Sequence, residues 1–142
     1  MNRIEMSKAL GINLAQFTGT SHYHRCNPCF PNILLTDGTR YIGDKLGCFW
    51  LFDLIGVLQK TPLIAKHPEL QRLQFWHLLV AEDASAKLNC EWDKDELVYS
   101  YKIPYTDFPY ISEAFCLYSQ RVDLQVIGEK GIGWVIHLPS EY

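Results

Sequence analysis

The stretch that most constrains this chain is LLTDGTRYIGDKLGCFWLFDLIGVLQ, residues 34–59. A short apolar run ends in Thr36-Asp37-Gly38, a pattern that predicts a tight hairpin, because Asp and Gly tolerate the positive φ such a turn requires. Asp44 reads as the N-cap of a helix running to about Gln59. On a helical wheel Leu46, Cys48, Trp50, Leu51, Leu54, Ile55, Val57 and Leu58 spread over more than half the circumference. A helix that apolar cannot lie on a surface, so it must be the central one, covered on several sides.

The remaining elements are placed around it. Residues 4–16 carry Ile4, Leu10 and Leu14 at helical spacing, with Phe17 beyond; this predicts a short helix weakened by Gly11. SHYHRCNPCFPN, residues 21–32, has two prolines and no periodicity, and reads as a loop. After a connector marked by Pro62 and Pro68, the period changes to two. Residues 74–81 are apolar on both faces, as in an interior strand. Residues 86–92 put Leu88, Cys90 and Trp92 inward and Lys87, Asn89 and Glu91 outward; residues 97–103 alternate likewise. Residues 113–118 predict a fourth strand, and 122–127 with 132–138 a closing hairpin around Gly128-Glu129-Lys130-Gly131. The pattern is α+β. A short N-terminal helix and a central buried helix pack on a twisted, mainly antiparallel sheet of about five to seven strands, in one domain over 1–142. Strand order does not follow from the sequence.

Composition narrows the function classes. The 142 residues have a net charge of −3 with scattered Lys and Arg, so no basic stripe points to nucleic acid. No run approaches the ~20 apolar residues of a membrane span. The N-terminus lacks the features of a secretory signal, and five cysteines in such a chain suggest thiols in a reducing cytosol.

The order of FTGT, LLTDGTRYIGDKLGCFWLFDLI, LQFWHLLV, YTDFP and a C-terminal LPSEY resembles a small uncharacterised bacterial family with cyanobacterial and mobile-element members. The resemblance runs from Phe17 to Tyr142. It implies an approximate fold and no assigned activity, ligand or catalytic residue. It also implies aromatic and basic residues around positions 23–25, and not a fixed Cys/His cluster there.

Several constellations could carry chemistry. His22, His24, Cys26 and Cys29 offer the imidazole and thiolate ligands of tetrahedral zinc, and Cys-x-x-Cys can chelate from one turn. Structural zinc sites usually draw ligands from two separated segments, so a half-site completed by His77, Cys48 or a second copy is geometrically easier. The plain alternative is a polar loop with incidental thiols. As a redox pair, Cys26 and Cys29 lack the helix N-terminus that activates such a thiol, since Pro31 follows. Asp53, within the apolar helix, could join Asp37 and His77 in acid/base work. The simpler role is to accept hydrogen bonds from Arg25, Arg40 or loop N–H groups, because nothing supplies a nucleophile or oxyanion hole. His77 reads as a hydrogen-bonded strand histidine and His137 as a half-exposed one.

The aromatic surplus supplies the leading functional expectation. Tyr23, Phe30, Tyr41, Tyr105, Phe108 and Tyr110 fall in loops or short edges, while Phe49 and Phe52 lie on the helix's narrow polar arc. Together with Arg25, they could converge into an aromatic-rimmed surface for a partner. The sequence thus reads as a cytosolic, non-enzymatic module acting through a protein partner or homo-oligomer, without membrane or nucleic-acid contact. A zinc-binding protein or metallohydrolase is the alternative, and otherwise no cofactor is implied.

Overall fold

The computed structural model describes residues 19, 22–109 and 114–141, apart from the side chain of Val126. The helix expected over 4–16 lies outside the described residues. Seven strands form one sheet: β1 (His24–Arg25), β2 (Ile33–Leu35), β3 (Leu73–Val80), β4 (Ala86–Glu91), β5 (Leu97–Ile103), β6 (Phe115–Asp123) and β7 (Ile132–His137). Their order is β1-β2-β7-β6-β3-β4-β5. Every neighbouring pair is antiparallel except β2 with β7, so the sheet is mixed and mostly antiparallel. With helices α1 (Asp37–Leu46), α2 (Phe49–Leu58) and α3 (Pro62–Ala65), the α+β class holds.

The hairpin expected at Asp37-Gly38 is instead a helix start. Thr36 is the N-cap of α1, in a capping box. Its hydroxyl accepts from the Thr39 amide at 3.3 Å, and the Thr39 hydroxyl accepts from the Thr36 amide at 2.9 Å. The Glu141 carboxylate, a hundred residues away in sequence, sits on the same helix end. It accepts from the Thr36 hydroxyl at 2.6 Å, the Gly38 amide at 3.1 Å and the Leu138 amide at 3.0 Å. A carboxylate there satisfies orphan helix donors and meets the positive end of the helix dipole. Gly38 is needed for this approach and not for a turn: a Cβ would stand 2.5 Å from Glu141 Oε1 and 2.7 Å from Leu138 Cδ1.

The continuous helix expected from Asp44 to Gln59 is likewise two. Gly47, at φ 61°, caps α1 in the left-handed conformation that favours glycine, and α2 starts after Cys48. Asp44 is no cap but an exposed residue of α1, 4.0 Å from Arg40. The central helix is therefore α2, whose Leu51, Phe52, Ile55 and Leu58 are buried. They meet Trp76 and Leu78 of β3, Leu88 and Cys90 of β4, Leu117 of β6 and Ile136 of β7 in one core. A buried amide network ties its end to the sheet. Gln59 and Gln74 exchange hydrogen bonds at 2.6 and 2.7 Å, and Gln74 Oε1 also accepts from the Trp76 indole at 3.0 Å.

The last two strand boundaries shift. The fourth strand is longer than expected, Phe115–Asp123, and itself forms the hairpin with β7, from Asp123↔Ile132 to Tyr118↔His137. Residues Leu124–Ile127 turn into a 3-10 helix and not a strand, because the Asp123 side chain accepts from the Gln125 amide at 3.0 Å and caps it. Among the described residues no helix is long and apolar enough to cross a membrane.

Two stability predictions follow from this core. Gln74→Ala strands the Gln59 amide and the Trp76 indole and should cost about 2 kcal/mol in urea unfolding, whereas Gln120→Ala, on the exposed part of β6, should cost little. Burial also pushes the Cys48 and Cys90 thiols from 9.0 up to about 12. Their folded-state protons are held more tightly than those of the unfolded chain. Stability is therefore undiminished below pH 9 and falls as pH rises from there towards 12. In reductant, a Cys48→Ala/Cys90→Ala variant should lose less of its urea midpoint between neutrality and about pH 10.5 than the parent. Equal losses would refute the burial argument.

Candidate functional site

The helices and the main core occupy one face of the sheet. On the other, a small cluster of Leu34, Val135 and Leu124, with Val122 and Ile127 against it, covers the β2–β7 end. Leu124 reaches it because residue 133 is glycine; a Cβ there would stand 2.5 Å from Leu124 Cδ2. Beyond that cluster, β3, β4 and β6 line an open cavity of about 700 Å³, within the range of ligand sites. Phe75, His77 and Leu79 enter it from β3, Asn89 and Glu91 from β4, and Cys116 and Tyr118 from β6. These are the alternate residues of strands whose other side chains, such as Trp76, Leu78, Leu88 and Leu117, are buried under the helices. Asp93, Lys94 and Asp95 of the β4–β5 turn complete the lining, with Ala114 and Pro139.

Within the cavity, register dictates contacts. Phe75 faces Tyr118, and their rings meet edge to face with centroids 4.8 Å apart. Tyr118 in turn meets the His137 ring at 5.5 Å. His77 is paired with Cys116 across β6 and with Asn89 across β4. Its Nδ1 lies 3.1 Å from Cys116 Sγ and its Nε2 3.3 Å from Glu91 Oε2. The imidazole therefore bridges a thiol and a carboxylate through opposite ring nitrogens. Such a line suits proton transfer; a metal would need the three groups to converge on one point.

The Cys/His loop is organised differently. His24 lies in β1, with Nε2 2.7 Å from Asp37 Oδ1 and Nδ1 2.9 Å from the Arg40 guanidinium. Both ring nitrogens are thus engaged. Arg25 pairs with Glu129. The Cys26 thiol donates to Asp53 at 3.4 Å, and burial, with that carboxylate adding to it, pushes the thiol up to about 12. Asn27 donates to Asp53 at 3.3 Å and, through its Oδ1, accepts from the Cys29 amide at 2.9 Å. Cys29 and His22 are exposed, the His22 ring 6.3 Å from that of His24. Among the described residues, no group of three or more His, Cys, Asp or Glu could hold a metal ion.

The acid/base trio considered from sequence is not brought together. Asp37 goes to His24, Asp53 anchors the loop through Cys26 and Asn27, and His77 sits on the far face of the sheet with Cys116 and Glu91. Arg25 and Arg40, expected as partners of Asp53, pair elsewhere. His137, expected half-exposed, is buried beside Tyr118.

The residues expected to form an aromatic surface are divided: Arg25 and Phe49 line a cleft with His24, Cys26 and Arg40, and others lie elsewhere. Phe52 and Phe108 are core residues, the latter against Phe115 at 5.1 Å. Phe30, Tyr41 and Phe49 are half-buried against the same core, Phe49 filling the space left by Gly43. Tyr23 and Tyr105 are exposed, but one precedes β1 and the other follows β5, at opposite edges of the sheet. Tyr110 lies outside the described residues. The rings that do share a surface, Phe75 and Tyr118, were not singled out from sequence, nor were Cys116 and Glu91 as chemistry. Their signal was their position: each alternates with core residues, on strands whose register the sequence leaves open.

Compared with known proteins, the chain matches over residues 8–142 a family of unknown function, DUF6876. It belongs to that family. No curated protein and no solved structure matches it. All of the motif order quoted above falls within the family's span, and two of its pieces, TDGT and LPSE, meet at the start of α1.

Because both nitrogens of His24 are engaged, the loop should hold no tight metal. Protein purified without a histidine tag should carry less than about a tenth of an equivalent of zinc by elemental analysis. One equivalent, lost on substitution of Cys26 and Cys29, would overturn this.

Proposed function

We propose that the chain is a binding module that takes an extended segment of a partner protein on the face of its sheet that the described helices leave open. The supporting observation is the cavity over β3, β4 and β6, which combines an apolar floor with an acidic rim. Phe75, Leu79 and Tyr118 offer apolar surface, and Leu79 is 42% exposed. Among the described residues, Glu91, Asp93 and Asp95 place three carboxylates against one cation, Lys94. That balance favours a segment in which an apolar side chain neighbours a Lys or Arg, and it disfavours the phosphates of nucleic acid.

Self-association has less support. Among the described residues, β5 has no strand on its outer edge, and its Leu97 and Tyr101 are exposed. That edge carries the devices that block strand addition: an irregularity in its pairing at Cys90/Glu91, Lys102 in mid-strand and Pro104 at its end. Five free cysteines support a reducing cytosol. The likeness to bacterial and mobile-element members supports a bacterial origin and an interaction directed at host proteins, by analogy alone.

The test is an array of extended peptides of randomised sequence, probed with the full chain. Binders should be enriched in apolar–basic pairs and weaken with salt. Tyr118→Ala should reduce binding about tenfold, and Asp93→Asn/Asp95→Asn about fivefold, with little loss of fold stability because both aspartates are exposed. Binders without basic residues, or indifferent to both variants, would sink this reading.

A further inference from the structure

We propose that Cys116 is a nucleophile towards acyl thioesters, with His77 as its general base and Glu91 as the group that positions the imidazole. The inference goes beyond partner binding and does not rest on it, since a small probe needs no peptide subsite.

Three observations carry it. His77 Nδ1 is 3.1 Å from Cys116 Sγ, within reach for taking the thiol proton. Glu91 Oε2 is 3.3 Å from Nε2 on the other side of the ring, where a carboxylate selects the tautomer protonated at Nε2 and leaves the Nδ1 lone pair facing sulfur. All three side chains line an open cavity, with Phe75, Leu79 and Tyr118 available to an apolar acyl body. Among the described residues, the other charged or titratable groups facing this space are Asp93, Lys94 and Asp95 from the β4–β5 turn and Tyr118 from β6, which His137 of β7 backs.

The step balances without an outside oxidant or reductant. Sulfur of Cys116 bonds to the thioester carbonyl carbon while its proton passes to His77 Nδ1. The carbon–sulfur bond of the substrate then breaks, and the leaving thiolate takes the proton from His77. The acyl group now rests on Cys116 as a new thioester of similar energy. Water then bonds to the acyl carbon and gives a proton to His77. The bond from that carbon to Cys116 sulfur breaks, the sulfur takes the proton back, and a carboxylic acid leaves, or a second thiol takes the acyl group in the same way. Thioesters suit this site because thiolates attack them readily.

Phenyl thioacetate is the probe, used with the full chain; thiophenol release gives the rate and peptide mass spectrometry locates the acetyl group. Acetylation should fall on Cys116 at least about tenfold faster than on the exposed Cys29. Cys116→Ser should end it there, and Cys29→Ser should leave the Cys116 rate unchanged. His77→Gln should slow it about 100-fold. Glu91→Gln should lower kcat about tenfold and leave KM for the probe nearly unchanged, since the carboxylate acts through the imidazole and does not touch the probe. Urea midpoints check that each variant is folded. A Cys116 no faster than Cys29 in the unaltered chain, or indifferent to His77→Gln in a folded variant, would reduce the trio to an incidental cross-strand contact.

Discussion

An apolar helix pressed against one side of a sheet sets the terms for everything else in this fold. Leu51, Phe52, Ile55 and Leu58 of α2 must leave water, and they do so against the alternate side chains of β3, β4, β6 and β7. Because strand side chains alternate, filling one face with Trp76, Leu78, Leu88, Cys90 and Leu117 assigns the intervening residues to the other. Among the described residues, that second face is covered only at its β2–β7 end, by the turn that carries Leu124. The cavity over the remaining strands is thus the counterpart of the core: the described helices all pack on the opposite side.

The carboxylate of Glu141 performs a second organising role at long range. It joins the residues after β7 to the first turn of α1, beside the parallel pairing of β2 with β7. That contact explains why TDGT misleads when read locally. Asp-Gly between apolar runs is a good hairpin signal, and nothing nearby says that Gly38 makes room for an acid from the far end of the chain. Thr36 with Thr39 formed a cap whose partner was out of sight. The interruption at Leu46-Gly47 was a local signal, a left-handed cap, outvoted by the apolar count on both sides of it.

Strands fared better because their signal is local and repeated. Leu88 and Cys90 inward with Glu91 outward, and the two-sided apolar pattern around His77, were legible from alternation alone. Strand order and register were not, since they are decided by contacts between residues such as His77 and Cys116 that lie 39 apart in sequence. The candidate site depends wholly on register. A slip of one residue in β6 would turn Cys116 into the core and bring Leu117 out. The burial of Phe108 was hidden for a different reason. Phe108 follows Thr106, whose amide donates to Ala84 and whose hydroxyl accepts from the Phe108 amide, so a segment that looks like an exposed loop is fastened inward.

A sheet face that only met water would be expected to carry short polar and charged residues throughout, as Lys87, Ser100 and Lys102 do towards β5. Towards β6 the pattern changes to an edge-to-face aromatic pair beside a thiol, an imidazole and a carboxylate in line. Solvation does not call for that combination. A half-exposed Phe and Tyr bury apolar area only when something settles on them, and an imidazole spanning thiol and acid favours a single tautomer with its lone pair at sulfur. Solvent exposure and chemical order therefore coincide on one patch, which is where a ligand would be held and where a thiol would be made to react.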